Sequence, residues 1–315
     1  MIPLEDVRAA ARRIGGLVHR TPMFSSSSLG EASGTRVVLK CESFQKTGSF
    51  KARGALNKVL SLPEAERKRG LVTVSAGNHA AAVAWAARTA GASAVVVMPT
   101  DAPRSKVSAV RAYGAEIVFH ADRPTLFDRL EEVRESRGLT FIHPFDDPVV
   151  LAGAGTAGLE IAEDLPDLDA VVVPVGGGGL LGGVASAVRA VLPDARIVAV
   201  ELEAGPGLKP ALEAGKPVPV KRPDTLADGL TPPFVGALPL AIAKEAVDEI
   251  VTVTEEEILA GMRHLMVRAK LYVEAAGAAA AAALLADKVD LRRDARVAVL
   301  VSGGNADLKQ VFSVA

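Results

Sequence analysis

The 315-residue chain is 49% hydrophobic and 23% charged, and its 36 Lys and Arg against 37 Asp and Glu leave a formal charge of −1. That composition excludes a disordered chain and a chain that grips nucleic acid through a basic surface. A single cysteine, Cys41, excludes an intramolecular disulfide framework and suits a reducing compartment, so a cytoplasmic protein is expected.

The opening "MIPLEDVRAAARRIGG" predicts an amphipathic helix and not a signal peptide, because it lacks a continuous apolar core. Further on, "KCESFQKTGSFKARGALNKVL" predicts a helix that opens at "TGSFKARGA" with Lys51 in its first turn. A helix N-terminus is the positive end of the dipole and favours Asp or Glu there. A lysine in that place loses its proton more easily than the reference of about 10.4. A neutral amine attacks an aldehyde and an ammonium does not. On this window alone, a solvated surface lysine is the commoner reading.

Continuous apolar runs at 71–75, 94–99, 116–119, 170–175, 196–201 and 296–302 predict parallel strands buried on both faces. Helical patterns such as "NHAAAVAWAARTAG", "RSKVSAVRAYG" and "LLGGVASAVRAVLP" lie between them. The alternation predicts an α/β protein with open, doubly wound, mainly parallel sheets. Two glycine-bearing strand–helix turns, "VSAGNHA" and "PVGGGGLLGG", stand far apart and imply two such domains with a ligand cleft between them. The expected division is a large domain from 1–65 and 146–315 and a small one over 66–145. The Pro- and Gly-rich stretch 203–234 reads as a loop lining one side of the cleft. The apolar run "AAGAAAAAALLA" is too short for a bilayer and reads as a packed helix, so no membrane partner is expected.

Three turns carry chemistry. In "VVVPVGGGGLLGG" a strand ends, four glycines follow and a helix begins near Leu180, a pattern whose inward N–H groups and helix N-terminus suit a phosphate. The same stretch contains GxGxxG at Gly177, Gly179 and Gly182, with Glu201 after the next strand, so a dinucleotide site is its rival. In "SAGNHA", Ser75, Gly77, Asn78 and His79 offer donors to a carboxylate or phenolate, or Asn78 simply caps the helix. In "VLVSGGN", Ser302 places a hydroxyl where it can meet a ring nitrogen, or merely closes a turn.

Taken in order, "KTGSFKARGA", "SAGNHA", "GGGGLLGG" and "VSGGN" resemble the pyridoxal-phosphate enzymes of the tryptophan-synthase β fold. The resemblance spans essentially the whole chain and is to the serine/threonine dehydratase and serine racemase branch. It implies pyridoxal 5'-phosphate in the cleft between the two domains, bound to Lys51 as a Schiff base, with Lys51 also the general base. It further implies Phe50 against one face of the ring, Asn78 on the phenolic oxygen, and Ser302 on the ring nitrogen. The N–H groups of Gly176, Gly177, Gly178, Gly179 and Leu180 would hold the phosphate, with Gly229 and Glu274 beside the ring. The substrate carboxylate would sit on Ser75, Asn78 and His79, joined by Arg123 when the small, mobile domain closes.

A hydroxyl partner for the ring nitrogen makes a weak electron sink and favours quick loss of a β-substituent. The implied reaction is β-elimination from L-threonine, and from L-serine, to 2-oxobutanoate or pyruvate and ammonia. The alternative is serine racemase with side dehydratase activity; its pattern "SSGNH" has a serine where this chain has Ala76, whose methyl cannot donate a proton. A β-replacement enzyme is disfavoured, because its loop reads "SGNTG". The resemblance also implies a homodimer or homotetramer and no C-terminal effector domain. It leaves open a divalent or monovalent cation at Glu201 and the carbonyl of Gly205. His19, His120, His143 and His264 lack metal-ligand spacing and read as structural or solvated.

Overall fold

A computed structural model of the chain describes residues 1–307 and Val311. Its strands are β1 (Met23–Ser25), β2 (Arg36–Cys41), β3 (Leu71–Val74), β4 (Ala94–Pro99) and β5 (Glu116–His120). They continue as β6 (Thr140–Phe141), β7 (Ala170–Pro174), β8 (Arg196–Leu202), β9 (Glu249–Val253) and β10 (Arg296–Val301). Six of them form one sheet in the order β1-β2-β10-β7-β8-β9, and four form another in the order β5-β4-β3-β6. Every pairing is parallel except β1 with β2. The six apolar runs end within a residue of their strands. β3, β4 and β7 are buried at every residue, as helices on both faces demand.

The order of the strands decides where a ligand can sit. In the large sheet β7 leads outward to β8 and β9, while β10 returns to the other side of β7. In the small sheet β3 leads outward to β4 and β5, while β6 returns to the other side of β3. Each reversal parts the loops at the carboxyl ends of two adjacent strands and opens a crevice there. The glycine turn follows β7 and "SGGN" follows β10; "SAGN" follows β3 and "IHPF" follows β6. The three turns that carry chemistry, and the "IHPF" turn beside one of them, therefore lie at the two switch points.

The helix Lys51–Ser61 crosses the helix Pro148–Asp164 at very short range. A Cβ on Gly54 would lie 2.7 Å from the Val150 carbonyl oxygen, and one on Gly153 would lie 2.7 Å from the Gly54 Cα. Only glycine at these positions lets the backbones approach that closely. Asp147 caps the longer helix by accepting from Val149 and Val150 N–H at 2.8 and 3.1 Å, with Pro148 in the first turn. The helix Ala275–Leu285 is alanine-rich because it is buried all round. No helix among the described residues is long and apolar enough to cross a membrane.

The stretch 203–234 departs from the loop reading. It contains the helix Leu208–Ala214 and a 3-10 turn at Asp228–Leu230. The helix forms because Leu208 and Ala211 bury into the large core and because Glu201 satisfies its first amides. Glu201 Oε1 accepts from Gly207 and Leu208 N–H at 2.7 and 2.6 Å, and Oε2 from Lys209 N–H at 3.0 Å.

Candidate active site

Lys51 is the first residue of its helix, and the chain just before it is stitched to the end of β10. Phe50 N–H donates to the Ser302 carbonyl at 3.1 Å, Ser49 bridges Gly303, and Gly304 N–H donates to the Gly48 carbonyl at 2.8 Å. Lys51 and Ser302 are therefore brought together through backbone, although 251 positions separate them (302 − 51). Lys51 Nζ donates to the Pro144 carbonyl at 2.7 Å and stands 5.1 Å from the centre of the Phe50 ring. Burial pushes its pKa down to about 8. No carboxylate pairs with the ammonium to offset its desolvation, so the proton is lost more easily than from a solvated lysine.

The glycine turn carries the complementary feature. The helix Gly179–Val191 has Gly178 at its N-cap and no side chain capping it. Among the described residues, the amides of Gly176, Gly177, Gly178, Gly179 and Leu180 have no acceptor. A run of unpaired donors at a helix N-terminus, with Gly178, Gly179 and Leu180 buried, is costly unless an anion takes them. A Cβ on Gly177 would collide with the Phe145 ring, so Phe145 packs directly on the turn. Pro144 and Phe145 thus link the Lys51 amine to the glycine turn. His143 braces this link, its Nδ1 accepting from Phe145 and Asp146 N–H at 3.2 and 2.8 Å. Burial lowers its pKa, which preserves the lone pair this brace needs.

Asn78 opens the helix Asn78–Thr89, with Gly77 rather than Asn78 at the N-cap. Its Nδ2 donates to Glu274 Oε1 at 2.6 Å and its Oδ1 accepts from Asn305 Nδ2 at 2.9 Å. Asn305 Nδ2 also donates to the Thr47 carbonyl at 2.8 Å, so one network joins the turns after β3 and β10 to the approach to Lys51. Glu274 is buried, and burial pushes its carboxyl up to about 7. Gly229 lies against Gly176, since a Cβ on Gly176 would be 2.6 Å from the Gly229 carbonyl oxygen.

Three of the expected site residues find partners within the protein. His79 is buried with Nε2 donating to the Ile142 carbonyl at 3.1 Å, and burial pushes its pKa down to about 3. Its Nδ1 is a lone pair without a partner among the described residues, so the ring cannot donate to a carboxylate; only the backbone N–H can. Arg123 is paired with Asp101, to which it donates at 2.6 and 3.0 Å on the face of the small sheet's loops, and it joins none of the other site residues. Glu201 accepts from three backbone amides of the following helix and so serves as its cap. No cluster of three or more His, Cys, Asp or Glu side chains that could hold a metal occurs among the described residues. Ser75 turns its hydroxyl inward to accept from Gly77 N–H at 3.0 Å. Cys41 is buried at the end of β2, and burial raises its thiol to about 12, so it is inert as a nucleophile.

Several site residues carried no role in the sequence reading. Asn305 lies within the quoted "VSGGN", and an amide at a strand end was a signal available there. Pro144 and Phe145 act through a carbonyl and a ring face, which no motif announces. Lys106 and Asp228 meet across the cleft from 122 positions apart and have no local signature.

An amine with a lowered pKa, five unpaired amides and a buried polar network surround one cleft, and together they fit an aldehyde-bearing phosphate cofactor. The comparisons agree. The family model described as "Pyridoxal-phosphate dependent enzyme" matches residues 14–303. The L-threonine ammonia-lyase of Thermotoga maritima is 45% identical, the match covering 99% of this chain and 77% of that one. The structure of maize serine racemase superposes with a TM-score of 0.94 at 37% identity, covering 98% of this chain and 95% of that one. The crystal structure of the T.th. threonine deaminase gives 0.89 at 44% identity, covering 96% and 98%. With the family model matching from the end of the first helix into the turn after β10, the chain belongs to the pyridoxal-phosphate dependent enzyme family.

Proposed function

We propose that the chain is an ammonia-lyase that converts L-threonine, and L-serine, to 2-oxobutanoate or pyruvate plus ammonia. The observation that carries this reading is Lys51, an amine near neutrality whose contact at Pro144 leads through Phe145 to five unpaired amides. Bound pyridoxal phosphate supplies an electron sink for negative charge at the substrate Cα. Its phosphate is assigned to the amides of Gly176 to Leu180 and its ring to the space between Phe50, Gly229 and Ser302. Asn78, held by Glu274 and Asn305, would meet the phenolic oxygen. The backbone N–H groups of Asn78 and His79 and the Ser75 hydroxyl take the substrate carboxylate. Arg123 contributes only if it leaves Asp101.

Lys51, once free and neutral, takes the proton from Cα. Loss of that proton and of the β-hydroxyl as water leaves an unsaturated amine, which hydrolyses to the oxo acid and ammonia and consumes the water again. The serine racemase likeness supports a rival reading, but Ala76 offers a methyl where reprotonation from the opposite face would need a donor. The same reading makes 66–145 the small unit that closes on the cleft. It places the enzyme in the cytoplasm as a homodimer or homotetramer, acting on an amino acid and not on nucleic acid or membranes.

The test is oxo-acid release by the purified protein with pyridoxal phosphate from L-threonine and from L-serine. The expected outcome is 2-oxobutanoate and pyruvate, dependent on added cofactor and abolished in Lys51→Ala together with the cofactor's bound visible absorbance. D-serine accumulating from L-serine without oxo acid would replace the lyase reading with the racemase one.

A further inference from the structure

Lys106 Nζ donates to Asp228 Oδ2 across the cleft. Lys106 belongs to the helix Arg104–Ala112, which follows β4 of the small sheet, and Asp228 opens the 3-10 turn that follows β8 of the large one. Among the described residues this is the one ion pair that ties 71–141 to the rest of the chain, the others there being internal. The two side chains are 15% and 28% exposed, so water screens the pair less than a surface pair.

Both ends of the pair abut groups already assigned to the reaction. A Cβ on Gly77 would lie 3.7 Å from Lys106 Nζ, which puts the ammonium against the "SAGN" turn. The residue after Asp228 is Gly229, whose carbonyl presses on Gly176 of the glycine turn. Glu274 feels both partners, Lys106 lowering and Asp228 raising its carboxyl. An apolar contact runs in parallel. The Phe127 ring, beyond β5, stands 6.3 Å from that of Phe234, which in turn stands 5.5 Å from Phe145. The segment 228–234 is thus gripped from the small sheet by one polar and one apolar contact.

We propose that Lys106 and Asp228 are positioning residues whose ion pair registers the carboxylate-binding turn against the glycine turn. Neither side chain touches the reacting atoms; each acts through the turn beside it. The inference rests on the reading of this cleft as the substrate site.

The test uses the holoenzyme and the variants Lys106→Met, Asp228→Asn and their double. Each single variant is expected to lower kcat/KM for L-threonine on the order of 10²-fold, a loss that misplacing a reactant by about an ångström can cause. The double is expected to be no worse than the poorer single, because removing either partner removes the same interaction. Added NaCl should lower kcat/KM of the wild type and leave the double unchanged. Bound-cofactor absorbance should be intact in all variants, and small-angle scattering should show a larger radius of gyration for each. Additive losses in the double, singles within about twofold of wild type, or lost cofactor absorbance would each overturn the proposal. A wild type inactive on both substrates would fail the lyase reading; the scattering comparison would then decide the clasp by itself.

Discussion

Lys51 shows how a single residue acquires reactivity from its surroundings. Desolvation alone accounts for the fall of its pKa to about 8, and the Pro144 carbonyl gives the amine a partner without stabilising charge as a carboxylate would. The amine is protonated below about pH 8 and free above it, so its reaction with an aldehyde is proton-gated in that range. The rate at which cofactor-free protein combines with pyridoxal phosphate should rise about tenfold per pH unit below pH 8 and level off above it. Stopped-flow absorbance would show this, whereas a profile still rising near pH 10 would mean an ordinary solvated lysine. Glu274 complements this arrangement. With its carboxyl raised to about 7 by burial, it brings little negative charge to Asn78 and the ring space under acidic conditions and more above neutrality.

At the scale of elements, the start of the Lys51 helix is anchored by a residue two positions on. Arg53 is fully buried and donates to both oxygens of Glu42 at 2.8 Å and to those of Glu160 at 2.6 and 2.9 Å. Lys40, also fully buried, donates to Glu160 Oε2 at 2.6 Å and to the Thr21 carbonyl at 2.9 Å. Two cations and two carboxylates balance, and the cluster ties β2, the Lys51 helix and the helix Pro148–Asp164 together. Burying such charges is costly, and the complete set offsets that cost only because each polar atom is paired. Arg53→Met should leave Glu42 without a cation and Glu160 with Lys40 alone, and lower stability by about 3–5 kcal/mol, read from urea or thermal denaturation. A loss below about 1 kcal/mol would mean that water or ions replace the guanidinium. This network also explains why β2 escaped the sequence reading. Arg36 and Lys40 interrupt "RVVLKC" with charge, and nothing local reveals that Lys40 finds its carboxylate 120 positions away.

Across the whole molecule, the cleft is lined by donors that protein atoms leave unpaired, so cofactor binding and folding are coupled. The native state alone assembles turns from residues 75, 176 and 302 into one surface, and the unfolded chain holds no such site. A ligand at about 100 times its dissociation constant should therefore stabilise the protein by about 2.7 kcal/mol. Thermal denaturation should shift upward with rising pyridoxal phosphate, and the shift should vanish in Lys51→Ala only insofar as the lysine, and not the phosphate turn, dominates affinity. No shift in the wild type would mean that the unpaired amides of the glycine turn do not take the phosphate.

Local pattern by itself determined the α/β class, the six apolar strands and the positions of the glycine, "SAGN" and "SGGN" turns. Burial on both faces and the need for unhindered backbone at a phosphate leave marks within a few residues. The short or charged strands β1, β2, β6 and β9 left no such mark, since their pairing depends on partners far along the chain. Only the tertiary structure decided that β10 and β6 return beside β7 and β3, bringing the four turns to two crevices. It likewise decided that the His79 ring faces Ile142, that Arg123 pairs with Asp101 and that Glu201 caps a helix. Side-chain partnership is a property of packing, because a hydrogen bond or ion pair depends on distances of a few ångströms that sequence separation does not set.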